Sequence, residues 1–314
     1  MTPASRSPVI AADPDGIRRA AQHLRDGGLA ALPTETVYGL GARADRDASV
    51  AAIYRAKGRP SFNPLIVHVG GLQQAEGLAE FDDRARALAA AFWPGPLTMV
   101  LPLREAAGLA SAVTAGLPTV ALRCPAHPVM RAVLEVAGVP IAAPSANRSG
   151  GVSPTTAQHV AASLGAAVDL ILDAGPCTAG VESTIVALRP DGWQILRPGP
   201  ITEAHIVAVL GTPSLATSGH GIEAPGQLAS HYAPGKPVRL AALTAEPDEF
   251  WIGFGSVAGH ASLSAGGDLD EAASRLYALL HEAAAAPQPR IAVAPIPELG
   301  VGSAINDRLR RAAA

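Results

Sequence analysis

Residues 55–69 read RAKGRPSFNPLIVHV, and this stretch decides the fold class. A helical pattern, ASVAAIYRAKG, runs up to Gly58, and a glycine ends a helix readily because it tolerates the left-handed conformation. The turn PSFNP follows. PLIVHV is then a short apolar run bounded by proline and glycine, which reads as a buried strand. Helix, tight turn and strand are the repeating parts of an α/β protein. Leu65, Val67 and Val69 face one way in that strand, while Ile66 and His68 face the other. Three cations, Arg55, Lys57 and Arg59, collect at the strand's mouth, where charge is costly unless something negative meets it.

The same alternation extends in both directions. Asp13-Pro14 supplies an N-cap and a proline at the first helical position for a helix through IRRAAQHLRDGG. LAALPTETV is a strand that leaves its course at Pro33, and Asp47 caps the helix that ends in the cations. LTMVLPL, TVALRC, VPIAAP, VDLILDAG, STIVAL and WQILRP read as strands, with helices at DRARALAAAF, HPVMRAVLEVAG and TEAHIVAVLG. These elements define a first unit over residues 1–211. Residues 212–236 lose any period and are rich in Ser, Gly and Pro, as an interdomain linker is. From 237 to 314 strands and helices alternate again, predicting a small α/β domain. GLGARA at 39–44 matches G-x-G-x-x-A in letters, but PTETVY precedes it and no acidic residue follows at the ribose spacing, so a glycine turn is the expectation.

Composition excludes several classes. Of 314 residues 48% are hydrophobic and 16% charged, with a net charge of −3, which fits a globular enzyme and not a chain that coats nucleic acid. Two cysteines are too few for a disulfide framework or a four-ligand zinc site, so a reducing cytoplasm is expected. MTPASRSPVIAADPDG lacks the basic head and apolar core of an export signal, and Pro94-Gly95-Pro96 interrupts the longest apolar stretch, so no membrane segment is expected. Among 24 basic residues only Lys57 and Lys236 are lysines, which marks Lys57 as a site wanting a compact ammonium.

Polar residues gather at strand ends. In TVALRC, Thr119, Ala121 and Arg123 share one face, and an arginine inside an apolar strand needs either an internal carboxylate or an anionic ligand. After VPIAAP, Ser145 and Asn147 follow at a spacing that presents both on one side. Ser153-Pro154 is expected to open a helix whose free N–H groups suit an anion. Ser183 begins STIVAL, and Arg197 ends WQIL. Strand ends are where open α/β sheets bind ligands.

Read in order, PTETVYGLGA, KGRPSFNPLIVHV, WPGPLTMVL, TVALRCPAHP, APSANRSGG, ESTIV and RPGPIT resemble the YrdC-like family of threonylcarbamoyl-AMP synthases. APGQLASHYAPGKPV and GVGSAINDRLRRAA resemble the long, two-domain form of that family. The resemblance implies a twisted mixed α/β sheet with helices forming a concave cavity over 1–211, a linker or lid at 212–236, and a small C-terminal α/β domain. It implies that L-threonine, bicarbonate and ATP, with Mg²⁺ on the ATP, give threonylcarbamoyl-adenylate and pyrophosphate. A downstream tRNA threonylcarbamoyl transferase machinery would take the product in the cytoplasm, and whether this chain touches tRNA directly is left open.

By the same resemblance Lys57 and Arg59 would be catalytic. Arg59, Asn63, Thr119, Ser145, Asn147, Ser153, Arg197 and Tyr232 would bind ATP; Thr36, His68, Arg123, Ala143 and Ser183 would bind threonine. No residue is expected to ligate a metal. Two rivals differ in class: an RNA-binding module without catalysis, which clustered basic and aromatic residues would favour, and a carbamoyltransferase of metallocofactor maturation, which would carry a cysteine-rich zinc module.

Overall fold

Asp13 opens the first helix, Pro14–Asp26, by accepting from the backbone N–H of Gly16 at 2.8 Å, and Gly27 closes it at φ 98°. The helix Asp47–Lys57 that carries the cations ends at Gly58 with φ 59°, as its sequence predicts. Its start differs from expectation: Arg46 occupies the cap position without a side-chain bond, and Asp47 is the first helical residue, acting on the helix dipole instead. The computed structural model describes residues 8–212, 222–228 and 230–314. The head of the chain read as lacking an export signal, and the middle of the expected linker, lie partly outside the described residues.

Among the described residues ten strands form one twisted mixed sheet. Its order is Val9–Ala11, Leu170–Asp173, Ala30–Leu32, Gly39–Arg43, Ile141–Ala142, Ile66–His68, Thr119–Arg123, Leu97–Pro102, Thr184–Arg189 and Gly192–Arg197. Ile66–His68 lies parallel to Thr119–Arg123 and places His68 opposite Arg123. It lies antiparallel to Ile141–Ala142 on its other side. The alternation in PLIVHV holds: Leu65, Val67 and Val69 join the main core, while Ile66 packs on the opposite face with Ala121 and Ile185.

GLGARA is neither a nucleotide loop nor a turn but a central strand. A Cβ on Gly41 would sit 3.0 Å from Leu32 and 3.2 Å from Ile141, so the missing side chain lets neighbouring layers close over it. The helix expected at Ser153-Pro154 begins three residues later, at Ala157. Thr156 is its cap, accepting from His159 N–H, while Pro154 lies outside the helix and its carbonyl accepts from Tyr38 N–H at 2.8 Å.

The second sheet has four strands, ordered Val238–Arg239, Arg290–Val293, Glu249–Gly253 and Ala261–Ser262, all paired parallel. Leu269–Ala285, capped by Asp268, and Gly302–Ala312 are its principal helices. Its core is not self-contained. Val37, Val152 and Val181 of the larger unit and Tyr232 of the linker pack into the same buried cluster as Leu276 and Ile305. No helix among the described residues is long and apolar enough to cross a membrane.

Candidate active site

A cavity lies where strands of the large sheet end beneath the linker. Thr36, Arg59, His68, Arg123, Ala143, Ser145, Glu182, Ser183, Arg197 and Tyr232 all line it. Nine of these ten stand in the sequence-derived set; Glu182 is the addition.

One corner is built around Arg123. Thr34 donates its hydroxyl hydrogen to Val37 O at 2.6 Å and accepts from the N–H groups of Thr36 and Val37, a side-chain-closed turn. With Thr34's hydrogen spent there, Thr36 is the donor in their 2.9 Å contact. Thr36 Oγ1 in turn accepts from Arg123 Nη1 at 2.8 Å. Arg123 also meets Glu35, whose Oε1 lies 2.6 Å from Nη2. Both atoms are buried, and Nη2 has no partner other than Glu35. Burial is the largest influence and raises the Glu35 carboxyl's pKa, but the Arg123 charge and the hydrogen bonds to the carboxylate together hold the group below the usual carboxylate range. Of the two alternatives for an arginine in this strand, the internal carboxylate is therefore present, and it leaves donor capacity facing the cavity. His68 is buried beside this pair with Nδ1 unpartnered. Burial, helped by the Arg123 charge, pushes the His68 pKa down to about 3, so the ring is neutral.

The opposite corner holds two more arginines. Arg59 donates from Nε to Asn63 O at 3.1 Å and from Nη2 to Asn63 Oδ1 at 2.6 Å and Pro64 O at 2.8 Å. Asn63 is thus a buried support for Arg59 and does not line the cavity. Arg197 donates to Ser183 O from Nε and Nη2, at 3.1 and 3.0 Å, and from Nη1 to Pro225 O at 3.4 Å, tying a strand end to the linker. Ser183 Oγ is shared between Arg197 at 3.1 Å and Thr98 Oγ1 at 2.7 Å. Burial depresses both guanidinium pKa values, that of Arg59 to about 10, which leaves each cationic at neutral pH.

Lys57, Thr119, Asn147 and Ser153 are not among the cavity-lining residues. Lys57 is buried behind the wall, its ammonium donating to Ser145 O at 2.5 Å and to Asn147 O. Burial, then the nearby Arg59 charge, lowers its pKa well below the ordinary lysine value. A lysine in place of an arginine is explained here: a compact head bonds two carbonyls that a planar fork would straddle. Ser145 and Asn147 do not share a direction. Asn147 turns back to close its own loop, donating to Arg148 O at 2.7 Å and Gly151 O at 2.9 Å. Thr119 stands at the far end of Arg123's strand, four residues and about 13 Å away. Ser153 is fully buried and donates to Glu182 Oε1 at 2.6 Å.

In the sequence Glu182 stands out only as the first letter of ESTIV, just before the strand Thr184–Arg189. It also accepts from Tyr277 Oη at 2.7 Å and Arg308 Nε at 2.9 Å, both from the second unit. Sequence patterning could not bring residues 182, 277 and 308 together, because pairings between units have no period. Tyr232 is buried at φ 63°, with its ring 5.6 Å from that of Tyr277.

A twisted mixed sheet closed over a basic cavity, with a small parallel-sheet domain packed behind it, is the YrdC-like architecture in its two-domain form. A family model described as telomere recombination matches residues 22–199, and one described as threonylcarbamoyl-AMP synthase, C-terminal domain, matches residues 201–314. The threonylcarbamoyl-AMP synthase of Bacillus subtilis is 41% identical, over 95% of this chain and 92% of its own. That of Pyrococcus abyssi is 39% identical, over 94% and 93%. The crystal structure of P. abyssi Sua5 complexed with L-threonine superposes with a TM-score of 0.89 at 36% identity, covering 98% of both chains. This chain belongs to the threonylcarbamoyl-AMP synthase family.

Proposed function

We propose that this protein makes L-threonylcarbamoyl-adenylate and pyrophosphate from L-threonine, bicarbonate and MgATP, for threonylcarbamoyl-adenosine modification of tRNA. The amine of threonine and bicarbonate give a carbamate with loss of water. A carbamate oxygen then attacks the α-phosphorus, and the bond to the bridging oxygen breaks as pyrophosphate leaves. The transition state concentrates negative charge, so fixed cations and donors account for most of the catalysis required.

The observation that carries this reading is the pairing of two unlike corners in one cavity. The Arg123 guanidinium, paired on one side with Glu35, and His68 Nδ1, buried without a partner, line this corner and are suited to the carboxylate and amine of an amino acid. Arg59 and Arg197 are cations on the same wall, suited to phosphates. Lys57 supports catalysis by holding Ser145 and the loop after it. Thr119, at the far end of the strand, suits the nucleoside side of ATP. The nearby carboxylates are both engaged, Glu35 by Arg123 and Glu182 by three donors, and no cluster of three or more acidic, His or Cys side chains that could hold a metal occurs among the described residues. Mg²⁺ would therefore ride on ATP with phosphate and water ligands.

The cavity's free volume of about 50 Å³ is a few waters' worth, so admitting a nucleotide requires a wall to move. Pro225, Gly226, His231 and Tyr232 are the lining residues that the linker supplies, and none of them is in a helix or strand, which supports the linker as a lid. Product would pass to a separate transferase acting on tRNA in the cytoplasm. Pyrophosphate release tests the reading: turnover should require threonine, bicarbonate and MgATP together. Equal release with carbamoyl phosphate in place of threonine and bicarbonate would refute it.

A further inference from the structure

We propose that Arg308, on the last helix of the C-terminal domain, is a positioning residue for the nucleotide side of the cavity, acting through Glu182 and Tyr232. This rests on the function proposed above. Arg308 is 0% exposed. Its Nε donates to Glu182 Oε2 at 2.9 Å, Nη2 to Pro198 O at 2.9 Å and Nη1 to Asp307 Oδ2 at 2.7 Å. Its guanidinium carbon lies 5.5 Å from the centroid of the Tyr232 ring. One side chain of the second unit thus reaches a wall carboxylate, the carbonyl after Arg197, and the linker's aromatic.

Each contact bears on the cavity. Pro198 follows Arg197, so the bond from Arg308 fixes the chain that aims a cavity cation. Glu182 is a buried negative charge in a wall that would face phosphates. Arg308 neutralises it there, and the Ser153 and Tyr277 hydroxyls occupy its lone pairs. Tyr232 holds a left-handed backbone that an L-residue adopts only when its surroundings impose it. Those surroundings are the backbone bonds that pin its neighbours, His231 N–H to Arg311 O and Ala233 N–H to Gly150 O, together with the rings of His231 and Tyr277 and the Arg308 guanidinium. The second unit is therefore part of the cavity's frame, and Arg308 is the side chain in which its contacts to Glu182, Pro198 and Tyr232 meet.

The test uses the full chain and binding measurements that do not depend on turnover. Calorimetry with a nonhydrolysable ATP analogue should show Arg308→Ala weakening the nucleotide about tenfold or more, with threonine affinity changed less than about twofold. Arg308→Lys should not restore it, because an ammonium cannot serve Glu182, Pro198 and the ring face at once. Combined with Tyr232→Ala, the loss should fall short of the product of the single losses, since both changes disturb the same wall. Arg310→Ala, which removes only an exposed pair with Glu298, should leave both affinities unchanged. If Arg308→Ala does not fold, Tyr277→Phe, which removes one hydroxyl from Glu182, carries the same expectation of selective nucleotide loss. Unchanged nucleotide affinity in the folded variants, or losses that multiply, would overturn the assignment. An unmodified protein that binds both ligands but releases no pyrophosphate would overturn the proposed reaction alone; one that binds no nucleotide would overturn both.

Discussion

Replacing Glu182 with glutamine removes a buried charge on which Ser153, Tyr277 and Arg308 converge, and the cost should depend on pH in a calculable way. Burial by itself would raise this carboxyl's pKa, yet Arg308, Arg197 and the donated hydrogen bonds bring it from an ordinary 4.5 to about 2. At about 1.4 kcal/mol per pH unit that gap corresponds to about 3 kcal/mol of folding stability. The folded value lies below the unfolded one, so the stabilisation is complete above about pH 5 and fades as pH falls toward 2; about 2 of the 3 kcal/mol should be gone by pH 3. Urea unfolding of the parent and Glu182→Gln proteins at pH 7, 5, 4 and 3 measures the difference directly. Subtraction cancels carboxylates common to both. A difference near 3 kcal/mol at pH 7 that shrinks to about 1 kcal/mol at pH 3 is expected. One that stays constant across that range would refute the claim that charge, and not shape, makes Glu182 the junction.

Arg123→Ala should raise the threonine KM about thirtyfold, from the loss of charged donors, while the ATP KM changes less than about threefold; pyrophosphate assays with each substrate varied separately decide it. Lys57→Met should cost about 2–4 kcal/mol in denaturant unfolding, because two buried carbonyls lose their donor, and Lys57→Arg should recover little of it. Gly180→Ala should cost a similar amount by the same measurement. Its Cβ would fall 2.3 Å from Ala273 O and 2.4 Å from Ser274 Cα, at a φ of +71° that alanine resists.

What was legible in the sequence is what has a local cause. Asp13-Pro14 and Gly27, the Gly58 stop, and the two faces of PLIVHV follow from capping chemistry and strand alternation within a few residues. The same alternation brought His68 and Arg123 to one side of the sheet. It failed where a residue had two local roles to choose between. Ser153 had the letters of a helix cap, but Glu182, 29 residues on, took its hydroxyl and left capping to Thr156. Asn147 kept its amide for its own turn instead of presenting it beside Ser145. GLGARA escaped because glycines required by close packing of sheet neighbours look, in letters, like glycines required by a turn. Glu35 as the partner of Arg123, and Arg308 behind Tyr232, depend on long-range contacts to which periodicity is blind.

The shortage of lysine reaches beyond the site. Lys57 is sealed beneath two carbonyls, and Lys236 is tethered to Ala283 O and Ala286 O at 2.8 and 2.5 Å. Acylating reagents and acetyl-transferring enzymes, which need a free side-chain amine, therefore meet none that is unengaged. Lysine-directed cross-linking of this protein would find little to react with, and acetylation at Lys236 would first have to draw its ammonium off the two carbonyls.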